Sequence, residues 1–228
     1  MLLHITTYRI SLFLFCYIQV NVRNAIVFKG SLEEIVENLV KTWECEVSHK
    51  ADLEQWTSID PEKYEVQVNN GPIMAGKIAF VIGNYNALMR DCSAYQKYGI
   101  DDDFEASHDL FCDAFTTGFP WELLKVLSGP PGPVIFTWRH WAHFTIKFEG
   151  RTGHGELMEM YGLCRVIVNE DLKIQKLELF LNNETFLEAL EGKRTPESLI
   201  KGIEDIGNVS ETAIDRLEEN ARASNSEN

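Results

Sequence analysis

The residues most able to do chemistry stand in one short run, Thr137–His143, TWRHWAH. It lies within a stretch that alternates with period two from Val134 to Phe148. Val134, Phe136, Trp138, His140, Ala142, Phe144, Ile146 and Phe148 share one face. Such alternation marks a half-buried antiparallel strand. His140 is then the one ionisable group on an aromatic inner face. An imidazole in an apolar site is a candidate general base, because burial and neighbours set its pKa. Glu156 and Glu159 open the next strand, and either is a candidate partner for His140. Arg139, Trp141 and His143 fall on the opposite face, where Arg139 and Trp141 are expected to stack. Because His140 and His143 face opposite sides, no metal site is expected. The sequence holds no phosphate loop, no GxSxG and no Cys nucleophile motif. No cofactor is expected.

These groups need elements to hold them. Ser31 and Glu34 form a capping box, and Leu32, Ile35, Val36, Leu39, Val40 and Trp43 follow at helical spacing. A helix is expected from there through about Val47. Residues 50–64 read as loop. Tyr64–Val68 reads as a short strand ended by the turn Asn69-Asn70-Gly71. Ala75–Met89 reads as one helix, with Ile78, Ile82, Tyr85 and Met89 on its stripe. A further helix is expected over 104–117, aligning Phe104, His108, Phe111, Cys112 and Phe115. Four strands come next: Trp121–Leu127, Val134–Phe148, Leu157–Val168 and Leu172–Leu181. Helices first and then an antiparallel meander is an α+β layout. Trp43, Tyr85, Phe111, Phe115, Phe136 and Trp138 form an aromatic set able to line a hydrophobic ligand cavity.

The bulk numbers set limits. The chain has 228 residues, 45% hydrophobic, with a net charge of −14. That length builds one domain with extensions. The acidic balance argues against nucleic acid and against anionic membranes. Five cysteines without a CxxC read as free thiols in a reducing compartment. Residues 10–20, ISLFLFCYIQV, have the length of a signal-peptide core but are too short to span a bilayer. The expected organisation is an extension or signal over 1–30, a domain over 31–192, and an acidic tail over 193–228. The compartment read from this is cytoplasmic, with secretion as the alternative. Asn183-Glu-Thr185 and Asn208-Val-Ser210 are glycosylation sequons relevant only if the chain is secreted.

Several motifs occur in an order that resembles a known family. They are GNYNALM (83–89), ASHDLFCDAFTTGFPWELLKVLSGPP (106–131), FTWRHW (136–141), Gly155-Glu156 before MYG (160–162), and KIQKLELF (173–180). Together they resemble the pathogen-related proteins of the SnoaL-like, NTF2-like superfamily, over roughly residues 36–192. The resemblance implies a cone, with helices packed in the concave face of a curved antiparallel sheet around a cavity. Enzymes of that fold place a carboxylate after the last strand, and here the position holds Asn182. An amide accepts no proton, so Asn182 is expected to orient a ligand rather than act as a base.

Three functions follow as expectations. The first is a stress- or defence-associated protein that binds a hydrophobic small molecule without robust catalysis. The second is a cyclase- or isomerase-type enzyme using His140 with Glu156 or Glu159. The third is an interaction module forming a homodimer through its exposed sheet face. Asn182 favours the first over the second.

Overall fold

The computed structural model describes residues 28–50, 52–90, 114–115 and 119–193. The N-terminal apolar run, the acidic tail and Asn208 lie outside them. So does the expected 104–117 helix, with His108 and Phe111, apart from Ala114 and Phe115.

The first helix, α1 (Leu32–His49), starts where the sequence places it. Ser31 Oγ accepts the Glu34 N–H at 3.2 Å, while the Glu34 carboxylate accepts the Gly30 N–H at 2.5 Å. Side chain and backbone thus satisfy donors that a helix start leaves open. The buried arc of α1 carries Val36, Val40, Trp43 and Val47.

A short 3-10 turn (Leu53–Gln55) leads to β1 (Glu65–Val68) and β2 (Met74–Ala75). The turn between these strands bends through Asn69 and Asn70 at φ 50 and 59. Asparagine tolerates that left-handed region better than most side chains. One continuous helix over 75–89 does not form. It divides into α2 (Gly76–Ile82) and α3 (Asn84–Met89) at Gly83, whose φ is 83. A residue at that φ cannot continue a right-handed helix. The expected stripe breaks with it: Ile82 and Met89 are buried, while Ile78 faces solvent.

The remaining strands are β3 (Trp121–Ser128), β4 (Val134–Phe144), β5 (Lys147–Phe148), β6 (Arg151–Thr152), β7 (Glu156–Val168) and β8 (Ile174–Leu181). The strand expected to run to Phe148 ends at Phe144. Its last residues fold instead into the β5–β6 ribbon, which leaves Ile146 exposed. The main sheet is curved, in the order β2-β1-β8-β7-β4-β3. It is mixed rather than antiparallel throughout, because β1 runs parallel to β8. Loop 50–64 dictates that pairing. It carries the chain along β8, with Ile59 bridged to Ile174 before β1 begins. The α+β class stands, and β7 is central as its two apolar faces imply. A final helix, α4 (Asn183–Leu190), follows β8 directly and was not read from the sequence.

One carboxylate ties α1 to that loop. Glu46 is 4% exposed. It accepts from Thr57 N and Oγ1 (2.6 and 2.8 Å), from Ser58 N and Oγ (2.9 and 2.6 Å), and from Lys50 Nζ (2.7 Å). Burial alone would raise its pKa; the Lys50 ammonium and the Ser58 and Thr57 donors outweigh that and hold it at about 2. A pKa lowered on folding contributes stability above 4.5 that is lost as pH falls towards 2. Glu46→Ala strands these donors and is expected to cost about 2–4 kcal/mol at neutral pH. Urea midpoints followed from pH 7 to 3 check this: the difference between native and variant should shrink as the pH falls.

Candidate functional site

The inner face where β3 meets β4 is built around the cross-strand pair Trp121–His140. The His140 ring stacks on Phe119 (centroids 4.8 Å apart, planes at 12°) and on Trp121 (5.4 Å, 15°), and meets Trp138 edge-on. Its Nδ1 lies 3.1 Å from the Phe119 carbonyl oxygen. A carbonyl only accepts, so Nδ1 carries the proton and Nε2 the lone pair. Burial is the largest influence on the ring and lowers its pKa; the Lys41 charge adds to it, the Phe119 carbonyl opposes it, and the result is about 3.

Trp138 is 1% exposed. Its indole lies on Gly162 of β7, where a Cβ would stand 2.3 Å from Trp138 Cζ2 and 2.6 Å from the Phe180 carbonyl oxygen. Only glycine leaves room for that ring. Phe136 and Phe115 are buried beside it, with Phe115 stacked on Phe119 at 5.0 Å. Trp43 projects from α1 and meets Trp121 edge-on at 5.4 Å, donating its indole N–H to Tyr64 Oη at 2.9 Å. Tyr85 is half-buried and packs against the core cluster.

Three further site expectations need correction. Asn182 does not face the interior. It is exposed and its Oδ1 accepts the Thr185 N–H at 3.1 Å, so it is the N-cap of α4. The inward amide is its neighbour Asn183, which is buried and donates to the Leu88 carbonyl at 2.5 Å. Glu156 pairs across from Phe144, whereas His140 pairs with Met160. Four residues separate them, roughly 13 Å of strand. Glu156 is instead held by Arg151 at 2.9 Å and by the His154 N–H at 2.6 Å. Glu159 belongs to the outer face, where it binds Arg139 at 2.9 Å and accepts from Tyr161 Oη at 3.1 Å. Arg139 also lies 5.4 Å over Trp141, the expected stack, and His143 is exposed as expected.

Among the described residues, the charge that acts on His140 comes from α1, at Lys41. Lys41 Nζ donates to the Trp121 carbonyl at 2.5 Å and to Glu44 at 3.1 Å; the other Glu44 oxygen accepts the Trp121 N–H at 3.0 Å. Burial raises the Glu44 pKa and Lys41 opposes it. One turn earlier stands Glu37, 7% exposed, with no donor at Oε2. Sequence reasoning missed all three. The signal was their i, i+4, i+7 spacing directly beside the apolar stripe, which widens the buried arc of the helix. Among the described residues no group of His, Cys, Asp and Glu is arranged to hold a metal ion, and no helix is long and apolar enough to cross a membrane.

No family model matches the chain. It is 33% identical to a pathogen-related protein of barley, Hordeum vulgare, over 163 residues, 70% of this chain and 69% of the barley protein. Among solved structures it is similar to a candidate SnoaL-like polyketide cyclase from Jannaschia sp. CCS1 (10% identity, TM-score 0.41, 74% of this chain and 96% of that one). It is also similar to a steroid delta-isomerase from Pseudomonas aeruginosa (13% identity, TM-score 0.36, 78% and 98%).

The His140 environment sets a pH dependence. A folded pKa near 3 lies below the ordinary 6.5, so the unfolded chain takes up the proton first on acidification. The stability is present above 6.5 and drains away as pH falls towards 3. Carbon-bound ring protons of His140 followed by NMR should stay at their neutral positions down to pH 5. His140→Phe should flatten the slope of stability against pH across that window.

Proposed function

The chain belongs to the pathogen-related protein family, and we propose that it binds a hydrophobic small molecule in its aromatic interior, in a defence or stress setting, without robust turnover. The observation that carries this reading is the state of His140. A general base works best when its pKa lies near the working pH. An imidazole whose pKa is held at about 3 is poorly matched to taking a proton near pH 7. With Nδ1 committed to the Phe119 carbonyl, Nε2 serves as a neutral hydrogen-bond acceptor. Of the two carboxylates expected beside it, Glu156 is bound by Arg151 and Glu159 by Arg139. What surrounds it is suited to apolar contact: Phe119, Trp121 and Trp138. The barley relative's name supports the defence setting and names no reaction. Residence in the cytoplasm belongs to the same proposal.

Two measurements test it. Titration with 1-naphthalenemethanol should quench the tryptophan fluorescence saturably, because a ligand reaching His140 meets Trp121 and Trp138, which pack against its ring. A panel of enolisable ketones should show no turnover above background. Robust turnover that His140→Ala abolishes would overturn the binding reading in favour of a histidine base.

A further inference from the structure

The inner face of β4 is closed at every position but one. Val134, Phe136, Trp138, Ala142 and Phe144 are each 1% exposed or less, whereas His140, in the middle of that row, is only half-buried. Its β7 partner Met160 and its stacking partner Phe119 keep a little exposure as well, 7% and 9%. Burial is still the largest influence on the ring, so this accessible surface belongs to a cleft within the fold. The two ring nitrogens are not equivalent there. Nδ1 is taken by the Phe119 carbonyl oxygen at 3.1 Å. Nε2 has no hydrogen-bond partner among the described residues, and it is not one of the side-chain atoms sealed from the surface without one. It is unpartnered because it opens on the cleft.

The chemistry of that opening has one sense. A neutral imidazole protonated at Nδ1 presents Nε2 as an acceptor and nothing else. The backbone groups that act on the ring are the Phe119 and Pro120 carbonyls, which also only accept. A ligand hydroxyl therefore finds a partner at the opening. An ether oxygen finds none, and a ligand that carries one leaves Nε2 without water or donor in a dry site. Charge narrows the class further. A carboxylate has no proton to give. An ammonium would bring a charge that nothing at the ring answers, since the charge acting on His140 is itself positive, at Lys41. We infer that the site takes a neutral hydroxylated hydrophobic molecule whose O–H donates to His140 Nε2, and that His140 is the specificity residue that rejects the same molecule with its oxygen alkylated. This rests on the binding function proposed above and names the class of its ligand.

The test compares 1-naphthalenemethanol with its methyl ether, 1-(methoxymethyl)naphthalene, on the full chain at pH 7 by calorimetry. The alcohol should bind about ten-fold more tightly than the ether. His140→Phe should bring the ratio of the two affinities close to one. Equal binding by the native chain, tighter binding of the ether, or a preference that survives His140→Phe overturns the inference while the binding function stands. Binding of neither probe overturns both. Nitrogen NMR of the native chain reads the ring directly and needs no variant. The free protein should show Nδ1 protonated and Nε2 bare. Saturating alcohol should move the Nε2 resonance towards its hydrogen-bonded position, and saturating ether should leave it in place. A protonated Nε2 in the free protein, or the same response to both probes, overturns the inference.

Discussion

Everything in this fold depends on how the outer edge of β3 is closed. β3 is the last strand of the sheet, so one side of its backbone has no neighbouring strand. Unpaired edges invite pairing with other chains and must be covered. Here α1 covers the start of the edge with side chains instead of a ladder. Lys41 takes the Trp121 carbonyl and Glu44 takes the Trp121 N–H, so one residue of β3 has both backbone groups satisfied by one helix. At the other end of β3, the Leu32 side chain lies against Gly129, so close that a Cβ on Gly129 would stand 2.4 Å from Leu32 Cδ1. These two contacts set the direction of α1 along β3. They place Trp43 against Trp121, and Trp121 in turn sets the stack in which His140 sits. The site geometry follows from the edge closure.

The buried charges divide by how completely they are answered. Glu46 accepts from five donors and fastens the loop that makes β1 run parallel to β8. On the outer face, Arg139 bridges Glu122 at 2.8 Å and Glu159 at 2.9 Å, and Arg165 pairs with Glu178. Arg151 reaches from β6 to the Ala189 and Leu190 carbonyls at 2.8 Å each, holding the C-terminal end of α4 with a cation where the helix dipole favours one. In each case the partner is another part of the chain, and the consequence is structural. Glu37 differs in that its Oε2 has no hydrogen-bond partner.

How much of this was legible depended on whether a feature is local. The capping of α1, the turn at Asn69-Asn70 and the inward face of β4 are set by residues adjacent in sequence, and each reads directly from residue type and period. The pairing of β1 with β8 is not local. It depends on Glu46 anchoring a loop eleven residues on, and no periodicity encodes that. Ala75–Met89 kept its helical pattern through Gly83, and the break came from a backbone angle that composition does not state. Asn182 was misplaced for a different reason. A strand exit and a helix N-cap occupy the same position when a helix follows without a loop, and the amphipathic pattern of α4 was overlooked after β8. Glu37, Lys41 and Glu44 were hidden because charged residues on a helix are read by default as its solvated face.

That default also bears on what kind of site this is. A catalytic interior is expected to set a titratable group near neutrality by balancing burial against a partner charge. His140 is driven far down by aromatic packing, and Glu44 is raised by burial but locked by Lys41 and Trp121. Among the described residues, an imidazole lone pair at Nε2 of His140 and the Glu37 Oε2 oxygen have no hydrogen-bond donor. Both accept hydrogen bonds, and Nε2 stands beside apolar rings. An interior that offers acceptors and aromatic faces selects a ligand by the donors it carries.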